Sequence, residues 1–202
     1  MTKGQREHPL DRHRRVQAVS EETGYAINHS RLRALGVTRW QAAAQVAAGR
    51  WERVGSQTFS TRAGPLEPLG QYWRAVWEAG EDVALVDGVS ALLASGLKGW
   101  SEETVHISAV HNHNVARISG VAVHKVIRRV EGEALRAGLP RTTPAVAAIR
   151  AAHWAVSDRQ AATIMAMTVQ QRLATGAQLL QAQGAGRSAR ADASSLHQAS
   201  GS

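Results

Sequence analysis

The sequence predicts an α+β chain in two parts, and three observations carry that expectation. Arg31 to Phe59 breaks into two short helical runs, a glycine-centred turn between them, and two β-prone runs after them. Ala63-Gly64-Pro65-Leu66-Glu67-Pro68 interrupts the chain, because proline has no N–H for a helix or a ladder and glycine favours turns. Beyond it, apolar residues recur at helical spacing in some segments and alternate in others. Helix, turn, helix and hairpin make a winged helix-turn-helix of residues 1–62; residues 63–70 read as a linker and 71–182 as a small α+β domain.

In order, residues 1–13 read as a disordered arm, with Arg12 at its end followed by Arg14 and Arg15. A first helix is expected over Arg14–Glu22, with Val16 and Val19 facing the core. Gly24 ends it, and Tyr25-Ala26-Ile27 supplies a short strand. Ser30 reads as the N-cap of a helix to Leu35, with Gly36 as its left-handed C-cap. Thr38 caps a second helix that runs to about Ala48 and ends at Gly49. At about 100° per residue, Ala42 and Val46 turn inward, which leaves Trp40, Ala43, Ala44 and Ala47 on the opposite side. Trp51–Val54 and Gln57–Thr61 flank Gly55-Ser56 as a hairpin with a short wing tip.

In the second part, Gln71–Ala79 carries an aromatic stripe, Tyr72, Trp73, Val76 and Trp77, which suits a core or an interface better than base stacking. Val83–Val86 reads as a buried strand and Asp87 as the N-cap of a helix ending at Gly96. Thr104–Val110 and Val121–Val126 alternate and suggest a β-hairpin across His111–Gly120. Thr143 and Pro144 start a helix to about Val156, and Ser157 caps another to about Ala174 in which Ile164, Met165, Val169 and Leu173 suit a core. Gln183–Ser202, rich in Ala, Ser and Gly, is expected to be a disordered tail.

Charge separates the two parts. Residues 1–62 hold eleven Lys and Arg against five Asp and Glu, most of the net +8 of the whole chain, so the basic excess coincides with the winged helix and favours phosphate contact. Arg39, Trp40 and Gln41 at the start of the second helix stand where base edges are normally read, with Gln41 suited to an adenine edge; Arg31, Arg50 and Arg53 suit phosphates. The rival reading is a protein-interaction adaptor whose alanine-rich helix packs on protein.

Other chemistry is hard to find. The chain has no cysteine, which rules out disulfides and thiolate metal sites and fits a reducing cytoplasm. Met1–Ser20 has no apolar signal region and no run is long and apolar enough for a transmembrane span, so a soluble protein away from membranes is expected. The lysines are Lys3, Lys98 and Lys125, and none follows a carboxylate by two positions as a metal-dependent nuclease core needs. No phosphate-binding glycine loop or nucleophile elbow occurs. His106, His111, His113 and His124 cluster near the expected hairpin, but a polar sheet face accounts for them without a metal. The expectation is therefore no catalytic residue, no metal and no cofactor.

The pattern from Val16 through Phe59, with Leu32-Arg33-Ala34-Leu35-Gly36-Val37-Thr38-Arg39 followed by Ala48-Gly49-Arg50-Trp51-Glu52-Arg53-Val54, resembles the N-terminal winged helix of AbiEi-type antitoxin-like proteins of type IV toxin-antitoxin systems. The resemblance extends in segment order to Ala182. It implies a DNA-binding transcriptional repressor, a cognate toxin or a homodimer as further partner, and the lack here of the endonuclease-like domain that longer relatives carry.

Overall fold

The computed structural model describes residues 9–185 and divides the chain after Glu78 into two compact units. The fold is α+β, as the periodicities indicate.

The first unit opens with α1 (Pro9–Glu21), so residues 9–13 of the expected arm are helical, while the rest of that arm lies outside the described residues. β1 (Ala26–Asn28) leads into α2 (His29–Ala34). Asn28, not Ser30, caps α2: its side-chain oxygen accepts from Arg31 N at 2.9 Å, because the strand delivers Asn28 with extended backbone at the helix start. α3 (Arg39–Ala47) follows the turn at Gly36, whose φ is +74°, and Gly49 ends it with φ +68°. β2 (Glu52–Arg53) and β3 (Thr58–Ser60) form the wing, and β1 completes an antiparallel sheet in the order β1-β3-β2, pairing Ile27 with Phe59. Val16, Ile27, Leu32, Val37, Ala42, Trp51 and Phe59 make the core, with Val19 and Val46 packed against it. Both valines of α1 and the inward face of α3 thus lie where helical periodicity puts them.

The division of the chain differs from the one expected at 63–70. α4 (Pro68–Ala79) belongs to the first unit rather than opening the second. Pro65 lies outside regular structure, but Pro68 is the first residue of α4, where its missing N–H costs no helical hydrogen bond, and the aromatic stripe beyond it belongs to the first unit. Tyr72, Trp73, Val76 and Trp77 are all buried. α4 can approach because Gly24 and Gly70 have no side chains: a Cβ on Gly24 would lie 2.4 Å from Gly70 N.

The second unit is built on a five-stranded sheet. Its strands are β4 (Ala84–Val86), β5 (Val105–Val110), β6 (Val121–Val126), β7 (Ala134–Leu135) and β8 (Arg141–Thr142), in the order β6-β5-β4-β8-β7. β5 and β6 do not form a hairpin; they pair in parallel, from Val105 opposite Val121 to Val110 opposite Val126. Residues 111–120 are long enough to carry the chain back along β5, and Val105 N then bonds Gly120 O at 2.9 Å. α5 (Gly88–Ala94) packs on α6 (Pro144–Trp154), and α6 on α7 (Asp158–Gln170). α7 stops before Ala174 because Arg172 takes φ +58°, and although Ile164 is buried, Val169 is exposed. Thr175 then caps a further helix, α8, over residues 176–185, through Gln178 N to Thr175 Oγ1 at 3.2 Å. Residues 183–185 of the expected tail are therefore helical, and the rest of it lies outside the described residues. No helix among the described residues is long and apolar enough to cross a membrane.

Candidate nucleic-acid interface

The start of α3 is fixed by a reciprocal cap. Thr38 Oγ1 accepts from Gln41 N at 3.2 Å, and Gln41 Oε1 accepts from Thr38 N at 2.9 Å, which satisfies two backbone donors that have no partner inside the helix. Its residue type and position suit Gln41 to an adenine edge, but in the structure its carbonyl oxygen is held by the cap. Trp40 beside it is 86 % exposed, and Ala43, Ala44 and Ala47 are exposed with it. Arg39 at the first position of α3 is exposed as well.

The arginines have diverged in role. Arg39 and Arg53 both act on His29: burial foremost lowers its pKa, these two positive charges lower it further, and Glu78 opposes them. One of these charges belongs to α3 and the other to the wing. Arg53 also spans the wing turn, donating to Gly55 O at 3.1 Å and Ser56 O at 2.7 Å. Arg50 donates from Nε to Gln45 Oε1 at 2.6 Å at the far end of α3. Arg31 lies over Trp73 and Trp77, 4.7 and 5.1 Å from the ring centroids, so the α4 aromatics draw it away from the role of a plain phosphate contact.

The wing tip is gripped by α4, a feature not anticipated from sequence. Glu78 Oε2 accepts from Ser56 N at 2.8 Å and Ser56 Oγ at 2.5 Å, and Oε1 from Gln57 N at 2.9 Å and Thr58 Oγ1 at 2.7 Å. Arg74 Nε donates to Val54 O at 2.7 Å. Burial works to raise the Glu78 pKa, but the hydrogen bonds from Ser56, Thr58 and Gln57 outweigh it and hold the carboxyl below its usual range. Gly55 leaves the room: a Cβ there would lie 2.4 Å from Glu78 Oε1.

A second polar cluster, in the second unit, was legible only in part. Asp87 caps α5 as expected, accepting from Gly88 N at 2.7 Å, but it is fully buried and does more. Thr142 Oγ1 donates to Oδ1 at 2.8 Å, Ser108 Oγ donates to Oδ2, and Arg150 Nη1 donates to Oδ2 at 2.7 Å. Arg150 Nη2 reaches the buried Glu133 at 2.9 Å, and Arg129 joins Glu133 at 3.2 Å and Ser108 Oγ at 2.7 Å. Burial alone lowers an arginine pKa; for Arg150 the two carboxylates outweigh it and raise the pKa, while for Arg129 burial prevails. All acceptor oxygens of both acids are occupied by this chain's own donors, an arrangement that builds structure.

Three of the four histidines near β5 and β6 are engaged through their rings. His106 Nδ1 and His124 Nε2 lie 2.9 Å apart, and Trp154 stacks on His124 with centroids 3.6 Å apart and planes 5° from parallel. His111 Nδ1 contacts Ile127 O at 2.9 Å. Among the described residues no group of three or more His, Asp or Glu is placed to hold a metal ion. Burial first, and the neighbouring His106 second, lower the His124 pKa from 6.5 to about 4. A folded pKa below the unfolded one means stability that is present above pH 6.5 and lost as pH falls towards 4. Wild type is thus expected to lose more thermal stability between pH 7 and pH 4 than His124→Phe, which keeps a stacking ring and cannot titrate.

The solved structure of the RV2827C protein from Mycobacterium tuberculosis is similar to this chain with a TM-score of 0.43 and 17 % identity, over 93 % of this chain and 83 % of that one. No protein-family model and no curated protein matches the sequence.

Proposed function

We propose that the chain is a cytoplasmic, non-enzymatic regulator that binds double-stranded DNA through α3 and the wing, acting as the antitoxin-like repressor that the Val16–Phe59 pattern implies, with the second unit engaging a toxin or a second copy. The observation that carries this reading is the exposed, capped start of α3 with Arg39 and Trp40 on it. The basic excess of the first 62 residues supports it. The adaptor reading draws on the exposed Trp40, since a large apolar side chain in water also suits a protein partner.

The test is a titration of duplex DNA at several salt concentrations. Wild type should show a steep loss of affinity with salt, and Arg39→Ala and Arg50→Ala should each flatten the slope by about 0.9 while weakening binding to all sequences alike. Arg39 should matter more, since Arg50 is shared with Gln45. No salt-dependent affinity in wild type would leave the adaptor reading in its place.

A further inference from the structure

We propose that α3 reads A·T base pairs through thymine methyl groups, using Trp40 with Ala43, Ala44 and Ala47, rather than through hydrogen bonds to base edges. The inference rests on the DNA-binding reading above and specifies what that surface recognises. At about 100° per residue these four side chains fall within a single arc, opposite the inward Ala42 and Val46. From Trp40 to Ala47 the helix rises about 10 Å, or about three base-pair steps of a strand.

What this face lacks is as informative as what it carries. Bidentate reading of adenine needs a side-chain amide, and reading of cytosine needs a carboxylate. The arc from Trp40 to Ala47 holds neither. The two amides of α3 have their carbonyl oxygens engaged, Gln41 by Thr38 N and Gln45 by Arg50 Nε. The backbone amides of Ser56 and Gln57 at the wing tip are occupied by Glu78, and Arg53 gives two of its five N–H donors to wing carbonyls. Thymine's C5-methyl is the one apolar feature that a base pair displays in the major groove, and alanine is a side chain suited to meet it. Alanines also keep the helix thin, so its backbone can lie close to the floor of a groove about as wide as a helix. Charge complementarity decides for DNA over an apolar protein surface: Arg39 precedes Trp40 directly, and Arg33 and Arg50 are exposed on the flanking segments.

The experiment uses the full chain. The tightest-binding short duplex is selected from a random pool, then resynthesised with deoxyuridine in place of each thymidine in turn, which removes only the methyl. The expected result is a site with thymines at its centre, about fourfold weaker binding for each contacted methyl removed, and an unchanged salt slope. Trp40→Ala, an exposed position whose helix content is checked by circular dichroism, should bind with the same salt slope and a smaller difference between thymine and uracil duplexes. Equal affinity of wild type for both duplexes, or a selected site without thymine, overturns the inference while leaving DNA binding intact. Absence of salt-dependent binding to any duplex overturns the underlying reading as well, and points to a protein surface for Trp40.

Discussion

Asp87→Ala is expected to destabilise the second unit by about 3–5 kcal/mol, the range for breaking a buried ion pair from one side. The carboxylate is fully buried and serves Gly88 N, Ser108, Thr142 and Arg150. Its removal leaves two hydroxyls, a helix-start amide and part of a guanidinium without an acceptor in a place water does not reach, so the cost follows from desolvation more than from lost attraction. Arg150 keeps Glu133, which limits the damage. Urea unfolding followed by circular dichroism checks the magnitude. Adding Arg150→Met to Asp87→Ala should recover part of the loss, because it removes the charge that the first change stranded. Independent, additive effects of the two substitutions would show that water enters the cluster and that it is not a coupled unit.

Asp87 also shows where sequence stops informing. Its cap is a local matter, a short polar side chain after a strand and before a helix, and is readable from residues 83–96. Its other partners lie 21, 55 and 63 residues away, and nothing in the spacing of Ser108, Thr142 and Arg150 marks them as neighbours. The same division runs through the first unit. Gly36, Thr38 and Gly49 mark the limits of α3 by backbone chemistry, and the inward Ala42 and Val46 follow from its period. Thr38 and Gln41 three residues apart are themselves a capping-box signature, and that local signal, rather than the amide's capacity to meet adenine, describes what Gln41 Oε1 does. Alternation in β5 and β6 is the same for parallel and antiparallel pairing, so the hairpin expectation could not have been separated from the parallel ladder observed. Pro65 and Pro68 mark a gap in regular structure and the start of α4; they are silent on which unit the aromatic stripe that follows belongs to.

That attachment of α4 leads to the second large effect, at Glu78. Glu78→Ala should cost about 1–3 kcal/mol, less than Asp87→Ala, because water can reach much of the wing tip and replace the lost acceptor. Four donors converge on this carboxylate, and two of them are the backbone amides of Ser56 and Gln57, so its removal frees the turn as well as weakening the fold. Hydrogen exchange at those two amides should therefore accelerate far more than exchange in β3. Glu78→Gln should restore little, since its amide nitrogen would face either the Ser56 pair or the Gln57 and Thr58 pair, donor against donor. A depressed folded pKa places the Glu78 contribution above its ordinary value of 4.5, with loss as pH falls through the folded pKa. Wild type should thus approach the exchange rates of Glu78→Ala at strongly acid pH, once intrinsic rates are divided out. If Ser56 and Gln57 exchange at the same rate in wild type and Glu78→Ala at neutral pH, the clamp does not order the wing. The wing's geometry would then come from the β2–β3 ladder alone.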